Sequence, residues 1–172
     1  FVKVQEMTYK DSLLEDKYFE WWMDEKPKVT GFYVHGKKDS KWSYWDKFAH
    51  QRFEIYEMDE LLFKWGWEYY DNNQVKEEFE YIKTGVLHGE WYAYYKDGSH
   101  RGFRGYDNGL RNGAWIDWYT NGQKSFERKY ELDQPVDKWF YWYFFGDLMS
   151  EVQYENNEII EQQCFQSSFM YS

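Results

Sequence analysis

Three glutamates recur at one repeated position and are the residues of this sequence that most suggest chemistry. Glu78, Glu127 and Glu151 each stand three residues before a tyrosine. Such a ladder of carboxylates could bind a cation or a basic partner. It could also be structural, because each carboxylate can accept a hydrogen bond from a Trp indole N–H, a turn amide or a Lys of a neighbouring hairpin. We favour the structural interpretation, since a catalytic residue is rarely copied once per repeat.

The histidines and the cysteine form no metal-binding pattern. None of the four histidines has the His-Glu-x-x-His spacing, and Cys164 is the only cysteine, so one chain can form neither an internal disulfide nor a thiolate cluster. The sequence also has no Gly-x-Ser-x-Gly nucleophile motif and no phosphate-binding glycine-rich loop before a helix. We therefore expect a protein that is not an enzyme, with no catalytic residue, cofactor or metal.

Aromatic residues return at intervals of about 24 residues and indicate the elements that would position any site. One column consists of Trp21, Trp45, Tyr69, Tyr94, Trp118 and Trp142. A second column, three residues earlier, consists of Tyr18, Trp42, Gly66, Trp91, Trp115 and Trp139. Self-similarity at a fixed period of about 20–50 residues is typical of repeat arrays, in which each unit packs on its neighbours.

Each repeat is predicted to be a β-hairpin. The aromatic runs end in dipeptides that suit a tight hairpin turn, such as Asp97-Gly98 and Asn121-Gly122. The stretch 107–112, with Asn108-Gly109, is predicted to be a longer connection between units. Period-2 alternation places the Trp118 column and the Trp115 column on opposite faces.

These patterns predict an all-β fold of tandem β-hairpin repeats, about 24 residues each. The hairpins would form an elongated, twisted and curved single-layer antiparallel sheet. Residues 1–158 would form a single array of about six units plus an N-terminal half unit. Residues 159–172 would form a C-terminal cap or tail, because Gln163 and Gln166 stand where aromatic residues are expected.

Composition and charge restrict the partners. Aromatic residues make up 25% of the chain, so rings must supply the packing that aliphatic side chains supply elsewhere. The formal net charge is −10, which argues against binding to nucleic acid or to anionic lipid. A basic protein partner is more compatible with this charge, although a solvated acidic surface explains it as well.

The sequence indicates a compartment only weakly. No run of 18 apolar residues is present, and the chain begins at Phe1 without an initiator Met or a signal-like stretch. A cytoplasmic location is slightly favoured because one cysteine is compatible with a reducing compartment. A processed, exported form stays open.

The best-defined repeats resemble the variant MORN repeat of bacterial proteins, including the YwqK-type antitoxin family. The matching residues are Gly89, Trp91, Tyr94, Tyr95, Gly98, Gly113, Trp115, Trp118, Tyr119, Asn121, Gly122, Glu127 and Tyr130. The match is strong over 85–130, fair over 137–157 and weak over 1–65. The resemblance implies a hairpin array that acts as an interaction or scaffold module, in some members by neutralising a toxin.

Three functions follow from the sequence as hypotheses. The first is a non-enzymatic protein-interaction module, with a toxin-neutralising antitoxin or immunity protein as its specific form. The second is a scaffold that self-associates through exposed sheet edges. The third is an aromatic module that binds glycans or cell walls. The predicted partner-binding residues are Trp91, Tyr94, Trp115, Trp118, Trp139 and Trp142, where the repeats are most regular.

Overall fold

The computed structural model describes residues 4–82 and 85–167 and confirms the all-β fold. Fifteen antiparallel strands form one open sheet of hairpins, and the described residues contain no helix. The strands are β1 (Gln5–Lys10), β2 (Leu13–Trp21), β3 (Pro27–Val34), β4 (Lys37–Trp45), β5 (Gln51–Glu57), β6 (Glu60–Tyr69), β7 (Val75–Ile82), β8 (Val86–Leu87), β9 (Gly89–Tyr94), β10 (His100–Asp107), β11 (Leu110–Trp118), β12 (Lys124–Glu131), β13 (Gln134–Trp142), β14 (Leu148–Glu155) and β15 (Glu158–Cys164).

The strands follow one another through the sheet in chain order, and the short β8 pairs with β7 beside this path. Each hairpin therefore pairs with the next, as expected for tandem repeats. Strand β1 contains Tyr9, the residue that marks the predicted N-terminal half unit. Most of β15 lies in the segment predicted as a cap or tail, and β15 pairs with β14. Residues 168–172 of that segment lie outside the described residues.

Two compact units make up the chain. The first comprises Phe1–Trp67 and Glu80–Val86, and the second comprises Glu68–Phe79 and Leu87–Ser172. In the first unit, Trp42 is the most buried large side chain, with 2% of its surface exposed. In the second unit, Tyr130, Trp139 and Val152 form the buried cluster.

Turns of five residues connect β2 to β3, β4 to β5, β6 to β7, β9 to β10, β11 to β12 and β13 to β14. In the turn of residues 119–123, Tyr119 N donates to Gln123 O (2.8 Å) and Gly122 N donates to Tyr119 O (2.9 Å). Gly122 has φ +83°, and this geometry is a type I turn followed by a left-handed residue. The equivalent left-handed residues are Glu25, Ala49, Asn73, Gly98, Gly122 and Gly146.

Two-residue turns connect β1 to β2, β3 to β4, β5 to β6, β10 to β11, β12 to β13 and β14 to β15, and they correct the predicted turn lengths. Asn108-Gly109, expected in a longer connection, is the whole turn between β10 and β11, with φ +48° and +86°. Positive φ at both positions defines a type I′ turn, whose twist matches that of the flanking strands. The Asp97-Gly98 and Asn121-Gly122 dipeptides instead lie in the five-residue turns, where only the glycine has positive φ.

Candidate functional site

The six predicted binding residues lie on two opposite faces of the sheet in the second unit. Alternation along each strand separates them, because the two columns are three residues apart, which is an odd number. We call the side with Trp91, Trp115 and Trp139 the Trp115 face, and the side with Tyr94, Trp118 and Trp142 the Trp118 face. The structure therefore brings the predicted residues together as two sets of three.

The Trp115 face is a packed stack of rings. Ring centroids are 5.4 Å apart for Trp115–Tyr130, 4.9 Å for Tyr130–Trp139 and 4.5 Å for Trp139–Tyr154. These distances are typical of stabilising aromatic pairs. Only 8% of the Trp139 surface is exposed, so most of this ring is used for packing.

The indole nitrogens on this face are also used inside the sheet. Trp115 Nε1 donates to Gly105 O and Trp139 Nε1 donates to Lys129 O, both at 3.0 Å. In the first unit, Trp42 Nε1 donates to Phe32 O at 3.2 Å. Each acceptor lies ten residues before its tryptophan. This repeated bond shows that the Trp115 column holds neighbouring strands together.

Arginines cover part of the Trp115 face, and the sequence analysis missed them. The Arg111 guanidinium lies 4.1 Å from the Tyr130 ring centroid, and its Nε is 2.8 Å from Asp133 Oδ1. This interaction raises the pKa of Arg111 and lowers the pKa of Asp133. Arg104 and Arg128 are exactly one repeat apart in number, 24 residues, and that spacing was the available sequence signal.

The Trp118 face carries rings that are only half-buried. The His100 ring lies between Tyr94 and Trp118, with centroid distances of 5.2 and 5.6 Å. Farther along, Phe140 and Trp142 stack at 5.8 Å. His100 thus packs among aromatic rings on the hairpin surface.

A shallow groove of about 400 Å³ lies between two of the predicted residues. Its lining consists of Trp118, Gly122, Gln123, Lys124, Trp142 and Gly146. The two glycines occupy left-handed turn positions, so the backbone geometry of the turns leaves this space free of side chains. Lys124 Nζ lies 6.0 Å from the Trp142 ring centroid and 2.6 Å from Glu127 Oε2. The groove thus combines two indole faces with one ion pair.

The repeated glutamates have local partners. Glu127 accepts a hydrogen bond from Lys124 and Glu151 accepts one from Lys138 at 3.0 Å, whereas Glu78 accepts a longer one of 3.4 Å from Tyr94 OH. Lysines were among the expected donors, but the structure places the indole donors on backbone oxygens instead. Among the described residues, no three His, Cys, Asp or Glu side chains are grouped so as to hold a metal ion.

One further carboxylate, that of Glu90, raises the pKa of a tyrosine on the Trp118 face. Tyr92 OH donates to Glu90 Oε2 at 2.6 Å. This bond, with smaller contributions from burial and negative charge, raises the pKa of Tyr92 to about 12. Glu90 keeps the phenol protonated because ionisation would place two negative charges side by side.

A buried carboxylate in the first unit, that of Glu54, has its hydrogen-bonding capacity satisfied by neighbouring side chains. Glu54 accepts hydrogen bonds from Arg52 Nη1 and Tyr56 OH, both at 2.9 Å. Burial and the Glu54 charge raise the pKa of Tyr44 and Tyr56. A buried charge with such partners is a satisfied structural group.

Tyrosines and asparagines link consecutive five-residue turns in the second unit. Tyr95 OH donates to Trp118 O (2.7 Å) and Tyr119 OH donates to Trp142 O (2.9 Å). Asn121 Nδ2 donates to Phe144 O at 2.6 Å. These bonds hold together the row of turns that includes Phe144 and Phe145. Phe145 has 63% of its surface exposed. The sequence analysis missed both phenylalanines because they lie in a turn outside the aromatic columns.

Comparison with known proteins adds no assignment. No protein-family model matches this chain, and a search of curated proteins returns no similar sequence. None of the described residues belongs to a helix with the length and apolarity needed to cross a bilayer.

Proposed function

We propose that the protein is a non-enzymatic protein-interaction module that binds its partner through the Trp118 face. The observation that carries this proposal is the groove between Trp118 and Trp142, which is open and lined by two indole rings. Trp is among the residues that contribute most to protein interfaces. Phe144 and Phe145, in the turn that also contains Gly146, add exposed apolar surface at the end of the groove.

The side chains and charges of this face indicate which kind of partner would fit it. An apolar or aromatic side chain would fit between the indole rings, since aromatic pairs gain energy beyond the area that they bury. Glu78, Glu127 and Glu151 share the face with the groove, and the net charge of the chain is −10. A partner with a basic surface around an apolar anchor is therefore favoured, and opposite charges would speed its association. A toxin neutralised by this protein is the form that the MORN-type resemblance suggests.

A quantitative pull-down from the source cells tests the proposal. The bait proteins are the wild type, Trp142→Ala and a matched control, Trp45→Ala, which changes the same repeat position in the first unit. We expect a specific protein that is retained by the wild type and by Trp45→Ala and is lost with Trp142→Ala, and we expect added salt to weaken its binding. Identical sets of captured proteins for all three baits would rule out the groove as the binding site.

Self-association is the second candidate function, and strand β15 favours it. This strand is the last in the sheet order and is exposed along its whole length, with 57% of the Ile160 surface accessible. Exposed edge strands can pair with another chain. Light scattering would then show a mass that increases with concentration, and Ile160→Lys would suppress the increase. A monomer at every concentration would exclude the scaffold.

Glycan binding is the third candidate, because two indole faces beside a groove could also stack on sugar rings. Titration with cell-wall fragments, followed by tryptophan fluorescence, separates this function from protein binding. A saturable change that is lost with Trp118→Ala would support it, and an unchanged spectrum at high glycan concentration would exclude it.

A further inference from the structure

Arg104 and Arg128 occupy equivalent positions on the Trp115 face but have different partners. Arg104 Nη2 lies 2.6 Å from Asp117 Oδ1, and its Nη1 donates to Phe103 O (2.8 Å) and Ile116 O (2.9 Å). Its guanidinium also lies 4.8 Å from the Trp115 ring centroid. Arg104 is therefore a ring-stacked cation whose charge is neutralised by a carboxylate of the same sheet.

Arg128 is stacked in the same way but has no carboxylate. Its guanidinium lies 4.2 Å from the ring centroid of Phe126, 5.2 Å from Tyr141 and 5.5 Å from Trp139. One repeat after Asp117, the chain has Tyr141. The position that supplies the counter-charge to Arg104 thus supplies a ring to Arg128.

The guanidinium of Arg128 forms no hydrogen bond or ion pair with any residue that the structure describes, and its Nε is buried without a partner. The other four arginines each pair with a carboxylate: Arg52 with Glu54, Arg101 with Glu77, Arg104 with Asp117 and Arg111 with Asp133. Asp117, which is near in the strand register, is already paired with Arg104. In a chain of net charge −10, one unpaired and ring-held guanidinium is an exception.

The chemistry of this exception points to a specific ligand group. A guanidinium presents its N–H donors in a planar fork that matches the two oxygens of a carboxylate. Rings on several sides restrict the fork before a ligand arrives, which lowers the entropy lost on binding. Of the unpaired Arg128 nitrogens only Nε is buried, so the two terminal nitrogens are the donors that a ligand oxygen can reach.

We propose that Arg128 is a docking point for a carboxylate, supplied by an Asp or Glu side chain of an acidic protein segment. The incoming carboxylate supplies the counter-charge that Asp117 supplies to Arg104, and the rings of Phe126, Trp139 and Tyr141 flank the guanidinium that binds it. This second interaction surface lies on the face opposite the groove and does not depend on the groove for its function.

NMR titration of the full chain with N-acetyl-aspartate amide tests the proposal. The Trp139 indole N–H and the Arg128 Nε–H report on the site, and sodium chloride at matched ionic strength is the reference. We expect saturable shifts of both signals with the carboxylate and none with chloride. Absent shifts, or equal shifts with chloride, would overturn the proposal. Stronger shifts with inorganic phosphate than with the carboxylate would overturn its choice of ligand, and would make the site a phosphate site.

Two variants and one control make the test specific. Tyr141→Asp restores the carboxylate of the neighbouring repeat, so it should occupy Arg128 internally and weaken probe binding at least tenfold. Arg128→Lys keeps the charge but loses the fork, and should weaken binding several-fold when followed at Trp139. Lys129→Gln removes an adjacent cation that pairs with Asp137 and should leave binding unchanged. Wild-type affinity in both site variants would show that Arg128 is only a structural cation on the ring stack. The titration needs no protein partner, so its outcome is independent of the pull-down.

Discussion

Single residues of one type have different roles in this sheet because their surroundings differ. Gly105 lies where a Cβ would come within 2.1 Å of the backbone oxygen of Asn112, so a side chain is excluded by contact. Gly122 has open space around it, but its φ of +83° is unfavourable for any residue with a Cβ. A steric contact therefore requires glycine at position 105, whereas the backbone conformation requires it at position 122.

Replacement of each glycine by alanine should distinguish these two causes. Gly122→Ala should lower the free energy of unfolding by about 1–2 kcal/mol, the cost of a left-handed L-residue. Gly105→Ala should cost more, about 3 kcal/mol, because a backbone oxygen cannot move aside as a flexible side chain can. Urea denaturation measures both values. Equal costs would contradict the proposed close contact at Gly105.

The raised pKa of Tyr92 gives a second prediction at this scale. The pKa of the phenol in the folded protein is about 12, above the ordinary value of 10.0, so the Glu90 bond stabilises the fold below pH 10. This contribution is lost as the pH rises through the folded pKa. Glu90→Gln should lower the pKa of Tyr92 towards 10.0, as followed by the NMR signal of its Cζ. An unchanged titration would mean that Glu90 is not the cause.

The turns show how hairpins of one repeat vary in sequence while they keep their geometry. Ala49 occupies the left-handed position of its five-residue turn, with φ +66°, where the last three repeats have glycine. The tandem arrangement preserves this conformation because each turn joins strands that are paired on both sides. Strain at one residue is thus maintained by the sheet.

Ala49→Gly should therefore stabilise the protein. Removal of the strain of a left-handed alanine raises the free energy of unfolding by about 1–2 kcal/mol. The greater conformational freedom of glycine in the unfolded chain lowers it by about 0.5–1 kcal/mol. We expect a net increase of about 0.5–1 kcal/mol in the free energy of unfolding, measured in urea. The matched control is Ala93→Gly in strand β9, a fully buried site where the same change should destabilise. A loss of stability at Ala49 would contradict the strained-turn account.

The sequence was sufficient to predict the hairpins and their order, because aromatic columns and turn dipeptides repeat at a constant interval. It could not predict which connections were two-residue turns and which were five-residue turns. Asn108-Gly109 and Asn121-Gly122 have the same composition, yet both residues of the first and only the glycine of the second have positive φ. Partners across strands were also beyond the sequence: Arg104 reaches Asp117, the residue opposite Gly102, because of a register that contains bulges.

At the scale of the whole molecule, we propose one function for each face of the second unit. On the Trp115 face, rings and indole N–H bonds hold the hairpins together, and the carboxylate proposed for Arg128 would bind there. On the Trp118 face, the rings are half-buried and border an open groove. The sequence predicted six binding residues and their division between two faces. It did not predict which face is open, since that depends on burial. Trp118 and Trp142 are the two that line the groove.

The affinity of the captured partner for groove variants tests the central claim most directly. Isothermal titration with Trp118→Ala and Trp142→Ala should show binding at least about tenfold weaker than wild type, as expected for indole rings at the centre of an interface. Trp45→Ala should bind like the wild type. The account is contradicted if both groove variants, shown to be folded by their unfolding curves, bind the partner with wild-type affinity.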